Sequence, residues 1–403
     1  MKRIKISLLP RIIIAIALGI CLGNVLTGPL VRIFVTFNSI FSQFLGFIVP
    51  FIIVGLVTPA IANIGKEAGK LLIITTIIAY MDTLFSGFFS YFTSSTVFPH
   101  LITPGTPLEQ IGQAQDLTPY FTVNIPPLMD VMTSLIFSFM VGLGIAHSEG
   151  TALHDVFEEF KDIITKTIET IIIPLLPIYI FGIFLNMTHS GQAMHVLNVF
   201  ISIIAVIFIM HILLLLFQYS VAAIFVKRNP FKLLGCMLPA YFTALGTSSS
   251  AATIPVTLKQ TIKNGVEEGI AGFVIPLCAT IHLSGSEMKI VACSLALMIM
   301  EGTPFDFGLY AGFICMLGVI MVAAPGVPGG AIMAALGILG SMLGFNANEL
   351  ALIIAIYITM DSFGTACNVT GDGAIALVMN KYFGKKQIRY DIERKRNKTF
   401  TPD

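Results

Sequence analysis

Four polar residues in an otherwise apolar stretch near the C-terminus have the spacing of a binding face. In Met360-Asp-Ser-Phe-Gly-Thr-Ala-Cys-Asn-Val-Thr-Gly-Asp372, the residues Asp361, Thr365, Asn368 and Asp372 stand at i, i+4, i+7 and i+11. At about 100° per residue these offsets put all four on one face of a helix. A carboxylate in hydrocarbon costs at least ~2.5–3.5 kcal/mol, so this face must look into protein or water. The chemistry it suits is ligand and cation binding, with Asp361 pairing an ammonium and Asp372 a cation. The alternative is a structural polar seam between helices.

Two further polar groups interrupt apolar runs. In Thr280-Ile-His-Leu-Ser-Gly-Ser-Glu-Met288, a helix that stops near His282 and restarts after Ser284 leaves backbone carbonyls free to bind a cation. Ser284 and Glu287 have the S-x-x-E spacing of a capping box, which gives Glu287 a structural role. Lys289 falls on a different face, where it pairs elsewhere or snorkels. Asp82, in Ala79-Tyr-Met-Asp-Thr83, is a third carboxylate about half-way along an apolar run, and it needs a partner. The stretch Thr247-Ser-Ser-Ser-Ala-Ala-Thr-Ile-Pro255 sets four consecutive hydroxyls and a proline between apolar flanks.

The elements that position these residues follow from composition. The 403 residues are 56% hydrophobic and only 11% charged, against about 25% charged in soluble domains, so the chain is a polytopic membrane protein. A net charge of +1 gives no reason to expect nucleic acid as a partner. The six cysteines, at 21, 236, 278, 293, 315 and 367, have neither metal-ligand nor disulfide-framework spacing and read as small core residues. Uncharged runs predict eight spans, at about 12–29, 34–63, 71–94, 125–147, 167–187, 197–226, 269–300 and 349–381. Charges are absent from Leu233 to Leu258, too short for two crossing helices of roughly 20 residues each. With Lys232 before and Lys259 after, a re-entrant hairpin over about 230–262 with the serines at its tip is the simplest structure, and such backbone survives at membrane depth only around a buried or wet site. A second interrupted region, about 307–345, carries Ala323-Ala-Pro-Gly-Val-Pro-Gly-Gly-Ala331, which cannot be regular helix interior. Lysine and arginine cluster at Lys2 to Lys5, Lys66 and Lys70, Lys161 and Lys166, Lys227 and Arg228, and Lys381 to Lys398. The positive-inside rule then puts both termini in the cytoplasm of an integral plasma (inner) membrane protein.

Together these residues make the chain one that resembles the dicarboxylate/amino-acid:cation symporter family, which includes glutamate transporters and neutral amino-acid exchangers. The resemblance rests on the serine-rich tip before Thr253-Ile-Pro-Val-Thr257, on Gly326-Val-Pro-Gly329 and on Asn368-Val-Thr-Gly-Asp372. It implies an all-α, inverted-repeat elevator transporter with eight transmembrane helices and two oppositely oriented re-entrant hairpins. It also implies a homotrimer in lipid, with a small-molecule substrate and no enzymatic activity. Residues 1–70 and 95–190 would form the scaffold (with the extracellular loop in the second segment), residues 71–94 and 191–381 the transport domain, and 382–403 a basic tail. Carried over position by position, Asp361 binds the substrate amino group and Asn368 its carboxylate, with Ser249 and Ser250 adding contacts. Thr365 and Ser286 line the pocket, and Gly326 and Val327 form the gate. Asp372, with Asn368, holds one cation, and Thr280 contributes to another.

The departures from the family pattern set the expectations. His282-Leu-Ser-Gly-Ser286 replaces the usual Asn-Met-Asp-Gly-Thr, so the sodium-binding Asp is Ser284 and the Asn is His282. Gly364 stands where acidic-amino-acid transporters carry Arg, and the second tip is one residue short after Pro328. Without an Arg anchor the substrate is expected to be a neutral amino acid rather than a dicarboxylate. No cofactor is expected beyond a coupling ion, Na+ or H+. Asp82, with Thr83 beside it, supplies a relocated carboxylate, or His282 carries a proton in place of the ion. A cation-independent exchanger or facilitator of the same fold, a channel, and an intramembrane aspartyl protease with an Asp82–Asp372 dyad are the alternatives.

Overall fold

The computed structural model describes residues 8–66, 70–102, 117–191, 193–326 and 328–398; the basic residues at 2, 3 and 5 and Val327 lie outside the described residues. Most of the described chain is helical, with residues 117–130 as an irregular stretch. Its helices are α1 (Leu8–Gly23), α2 (Gly28–Lys66), α3 (Lys70–Leu101), α4 (Val131–His147), α5 (Ala152–Thr167) and α6 (Ile173–His189). They continue as α7 (Ala193–Val226), α8 (Pro230–Thr247), α9 (Ser250–Lys263), α10 (Glu268–Ile281) and α11 (Ser284–Glu301). The last four are α12 (Phe307–Ala323), α13 (Gly330–Leu343), α14 (Ala347–Thr359) and α15 (Asp361–Lys398).

Five helical stretches are long and apolar enough to cross a membrane: Gly28–Ala62, Lys70–Leu101, Ala152–His189, Phe200–Val226 and Glu268–Glu301. The chain is an integral membrane protein. Expected spans one and four form helices of only 16 and 17 residues, shorter than the ~20 of a perpendicular crossing. The fifth span begins earlier than the uncharged run, because α5 and α6 join through a π turn at Ile168–Ile172 into one stretch. The eighth is not one helix: α14 and α15 meet at Met360 with a bend of 61°. The break puts Asp361 at the N-terminus of α15, where free N–H groups and the helix dipole favour a carboxylate.

Local chemistry defines the two interrupted regions. Asn229 caps α8 by accepting from the N–H groups of Phe231 and Lys232, and Pro230 occupies the first turn, where no N–H is needed. The Arg228 guanidinium bonds the Asn264 carbonyl, and Asn264 Nδ2 donates to Leu233 O at 2.9 Å, which holds the start of α8 against the end of α9. At the other end the chain turns through Ser248, in the left-handed region (φ 50°), and Ser249 caps α9 through Ala252 N–H. In the second region Asp306 caps α12, and α13 starts after Gly329, whose φ of +76° a non-glycine residue tolerates poorly. The capping box of this part of the chain is Asn346 with Glu349, at the start of α14.

The helices pack in several sets that also touch one another, α12 and α13 against α2 and α14 against α1. α2 packs mainly on α4, and α1 on α6, while α11 packs on α3, and α15 on α7, α8 and α10. Every residue of α11 from Ser284 to Met300 is buried, as expected of a helix surrounded by others. It nevertheless carries Glu287 and Lys289. Of the cysteines, Cys278, Cys293 and Cys367 are core residues as expected, but Cys21 and Cys315 are exposed on the isolated chain.

Candidate functional site

The two tips meet over a small polar pocket. Ser249 Oγ donates to Gly326 O at 3.2 Å, and the Ser248 and Ser362 hydroxyls are 2.6 Å apart. Beneath them Ser248, Ser250, Ser286, Gly326, Tyr357, Asp361, Thr365 and Asn368 line a space of about 20 Å³, room for one water. Asn368 fixes the floor: its Oδ1 accepts from Gly285 N at 2.8 Å and its Nδ2 donates to Ser286 Oγ at 3.1 Å. The close approach of α11 and α15 here needs Gly285, where a Cβ would lie 2.8 Å from Cys367 Cβ and 2.8 Å from Gly364 O. Of the expected pocket residues, Ser250, Ser286, Gly326, Asp361, Thr365 and Asn368 line the space, whereas Ser249 joins tip to tip beside it.

Asp372 is buried away from this space and meets His282 instead. His282 stands in the break between α10 and α11, completely buried, with Nδ1 2.9 Å from Asp372 Oδ1 and Nε2 2.7 Å from Asp82 Oδ2. Asp82 also accepts from Gln218 Nε2 at 2.5 Å, and that amide reaches Ser284 Oγ at 3.2 Å. Asp82 is the open edge of the cluster, with 16% of its side chain exposed. Gly371 allows the contact, since a Cβ there would come within 2.9 Å of His282 Cε1 and 2.8 Å of Gln218 Oε1. A neutral imidazole has one donor and one acceptor nitrogen, and an ionised carboxylate only accepts. Two imidazole–carboxylate hydrogen bonds therefore require one extra proton, on the ring or on a carboxylate. The relocated carboxylate and the proton-bearing histidine, stated as alternatives from the sequence, are members of one cluster. The imidazole also separates Asp82 from Asp372, so the two do not form a proton-sharing dyad. A hard cation such as sodium takes oxygen ligands, and here one oxygen of each carboxylate is turned to an imidazole nitrogen. Thr83 hydrogen-bonds its own helix at Ala79 O, and Thr280, exposed, does the same at Leu277 O, so neither hydroxyl joins the cluster.

Of the two readings for Lys289 the structure shows pairing, and Glu287 does not take its expected place. Lys289 does not snorkel: it is wholly buried, with Nζ 3.5 Å from Asp361 Oδ1, 3.4 Å from Met360 O and 3.7 Å from the centre of the Tyr357 ring. Asp361 Oδ2 accepts from Gly329 N at 2.8 Å, so this carboxylate joins α11, α15 and the second tip. Gly364 is required beside it, for a Cβ would sit 2.5 Å from Lys289 Nζ. Glu287 does not cap α11, whose N-cap is Leu283 with no side-chain cap. Both Glu287 oxygens are buried without a hydrogen-bond partner, above Gly87 and Gly318.

Sequence reasoning missed Gln218, Ser248, Tyr357 and Ser362. Gln218 had a signal, a lone amide inside the apolar run of α7; Tyr357 had none. A larger cavity, about 480 Å³, lies elsewhere, among Asn38, Tyr179, Asn186, Glu301 and Glu349. The smaller space between the tips is the one that Asp361 lines, with Lys289 at its carboxylate.

The model of the family described as the sodium:dicarboxylate symporter family matches residues 8–382. The serine/threonine transporter SstT of Acinetobacter baylyi is 26% identical over 94% of this chain and 98% of its own length. Excitatory amino acid transporter 1 of Rattus norvegicus is 27% identical over 65% of this chain and 48% of its own, and that of Homo sapiens 24% over 72% and 55%. The chain thus spans about half the length of these mammalian relatives. It belongs to the sodium:dicarboxylate symporter family, whose members are membrane transporters and not enzymes.

Proposed function

We propose that this protein is a secondary transporter of a small neutral amino acid, coupled to a proton held by His282 in place of a sodium ion. The observation that carries the coupling is the buried imidazole bridging Asp82 and Asp372. Asp82, partly open, is the group through which the proton reaches the cluster. The pocket favours a neutral substrate for two reasons. Its lining is mainly hydroxyls and an amide, and its one carboxylate, Asp361, is already matched by Lys289. The serine/threonine specificity in the name of the bacterial relative points the same way. On binding, the substrate ammonium approaches Asp361, and its carboxylate lies toward Asn368 and the serine tip.

In this reading α8–α9 and α12–α13 are re-entrant hairpins of opposite orientation. Together with α3, α7, α10, α11, α14 and α15 they form a transport domain that moves as an elevator. α1, α2, α4, α5 and α6 form the scaffold of a homotrimer with cytoplasmic termini. The close packing of α2 on α4 and α1 on α6, and of α11 on α3 and α15 on α7, α8 and α10, supports this division. Uptake of labelled L-serine into proteoliposomes tests the coupling. An inward proton gradient at zero sodium is expected to drive accumulation, and a sodium gradient at equal pH is not. A second reading, a cation-independent exchanger or facilitator, is favoured by the same built-in cations, His282 and Lys289. Flux indifferent to both gradients would establish it.

A further inference from the structure

We infer that Lys289 is a built-in counter-cation that lets the transport domain return across the membrane without substrate. The inference rests on the transporter reading above and concerns the return step of its cycle. Asp361 is 7% exposed and lies at the pocket beneath the tips. A substrate ammonium compensates its charge on the loaded journey. On the return journey a carboxylate with no cation at that depth faces the penalty of a bare charge in hydrocarbon.

Lys289 removes that requirement. Its ammonium is within 3.5 Å of Asp361 Oδ1, yet it is not among the residues that line the pocket. It reaches Asp361 from behind, over the face of Gly364, and its charge is further held by the Tyr357 ring and the Met360 carbonyl. The lysine therefore belongs to the protein's own framework and not to a ligand. With Lys289 in place the subsite is neutral with a zwitterionic amino acid and neutral without one. Asp361 also accepts from Gly329 N in the second tip, so the lysine-matched carboxylate can hold that tip closed. The His282 cluster differs: when its proton leaves, Asp82 remains hydrogen-bonded to Gln218 and partly open. Among the described residues, Asp361 has no second side-chain cation or amide to turn to.

The test compares net uptake with exchange in proteoliposomes, using labelled L-serine, L-aspartate and succinate as probes. Wild-type vesicles hold N-methylglucamine as the sole internal cation, with either no internal substrate or excess unlabelled probe. Net uptake into substrate-free vesicles at a rate comparable to exchange is expected. A wild-type protein that only exchanges overturns the inference. For Lys289→Met the ratio of net uptake to exchange is expected to fall by about 100-fold, the factor set by one uncompensated charge near the bilayer centre. An unchanged ratio also overturns it. If Lys289→Met does not fold, the wild-type comparison decides. Absence of both net uptake and exchange for all three probes in the wild type would instead refute the transporter reading itself.

Discussion

Replacing His282 by leucine removes the group that joins two buried carboxylates. Asp82 keeps its hydrogen bond from Gln218, but Asp372 has His282 as its only side-chain partner among the described residues. The loss therefore falls mainly on Asp372, which is 1% exposed. Leaving one member of a buried ion pair uncompensated costs about 3–5 kcal/mol. Protonation of the orphaned carboxylate relieves part of that cost, so the destabilisation of His282→Leu grows as pH rises. Thermal unfolding of the purified protein in detergent, at acidic and at alkaline pH, reads this directly. The double variant His282→Leu/Asp372→Asn no longer buries the charge and is expected to regain stability. A double-mutant cycle should give a coupling of roughly 1.5–3 kcal/mol, the range of a charge-assisted hydrogen bond. Additive single effects with no pH dependence would refute the bridged cluster.

Three other substitutions probe the same framework. Gly371→Ala pushes a methyl group against His282 and Gln218 and is expected to cost about 1–3 kcal/mol by overpacking, with reduced proton-driven uptake in proteoliposomes. Asn368→Ala leaves Gly285 N–H unbonded on the pocket floor. It is expected to weaken L-serine binding, read as ligand-induced thermal stabilisation, by about tenfold or more for a loss of ~1–3 kcal/mol. Asn346→Ala removes the capping box of α14, far from the cluster. It should lower stability by about 0.5–2 kcal/mol and leave the dependence of uptake on pH as in the wild type.

Much of the site was legible because helical periodicity is local. Asp361, Thr365, Asn368 and Asp372 share a face of α15 as their spacing required. Their division between two sites was not legible. Asp361 turns to Lys289 and the tips, while Asp372 turns to His282, and those partners come from distant parts of the chain. The bend at Met360 has no proline or glycine next to it to announce it. Glu287 was misread because a local S-x-x-E signal competed with tertiary placement, and the helix begins one residue too early for that box to form. For Lys289 the sequence left pairing and snorkelling open, and the partner was not legible. Snorkelling is the default for an isolated intramembrane lysine, and only the fold brings a carboxylate to it. The helix breaks at the serine run and at the glycine–proline run were legible because four consecutive hydroxyls, and two prolines with three glycines in nine residues, make a poor helix interior.

Substrate-evoked proton movement tests the proton-for-sodium exchange most directly. Proteoliposomes loaded with a pH-sensitive dye receive L-serine in sodium-free buffer at equal pH on both sides. Internal acidification that depends on serine, and that His282→Leu abolishes, is the expected result. Serine uptake that requires sodium and moves no protons would contradict it.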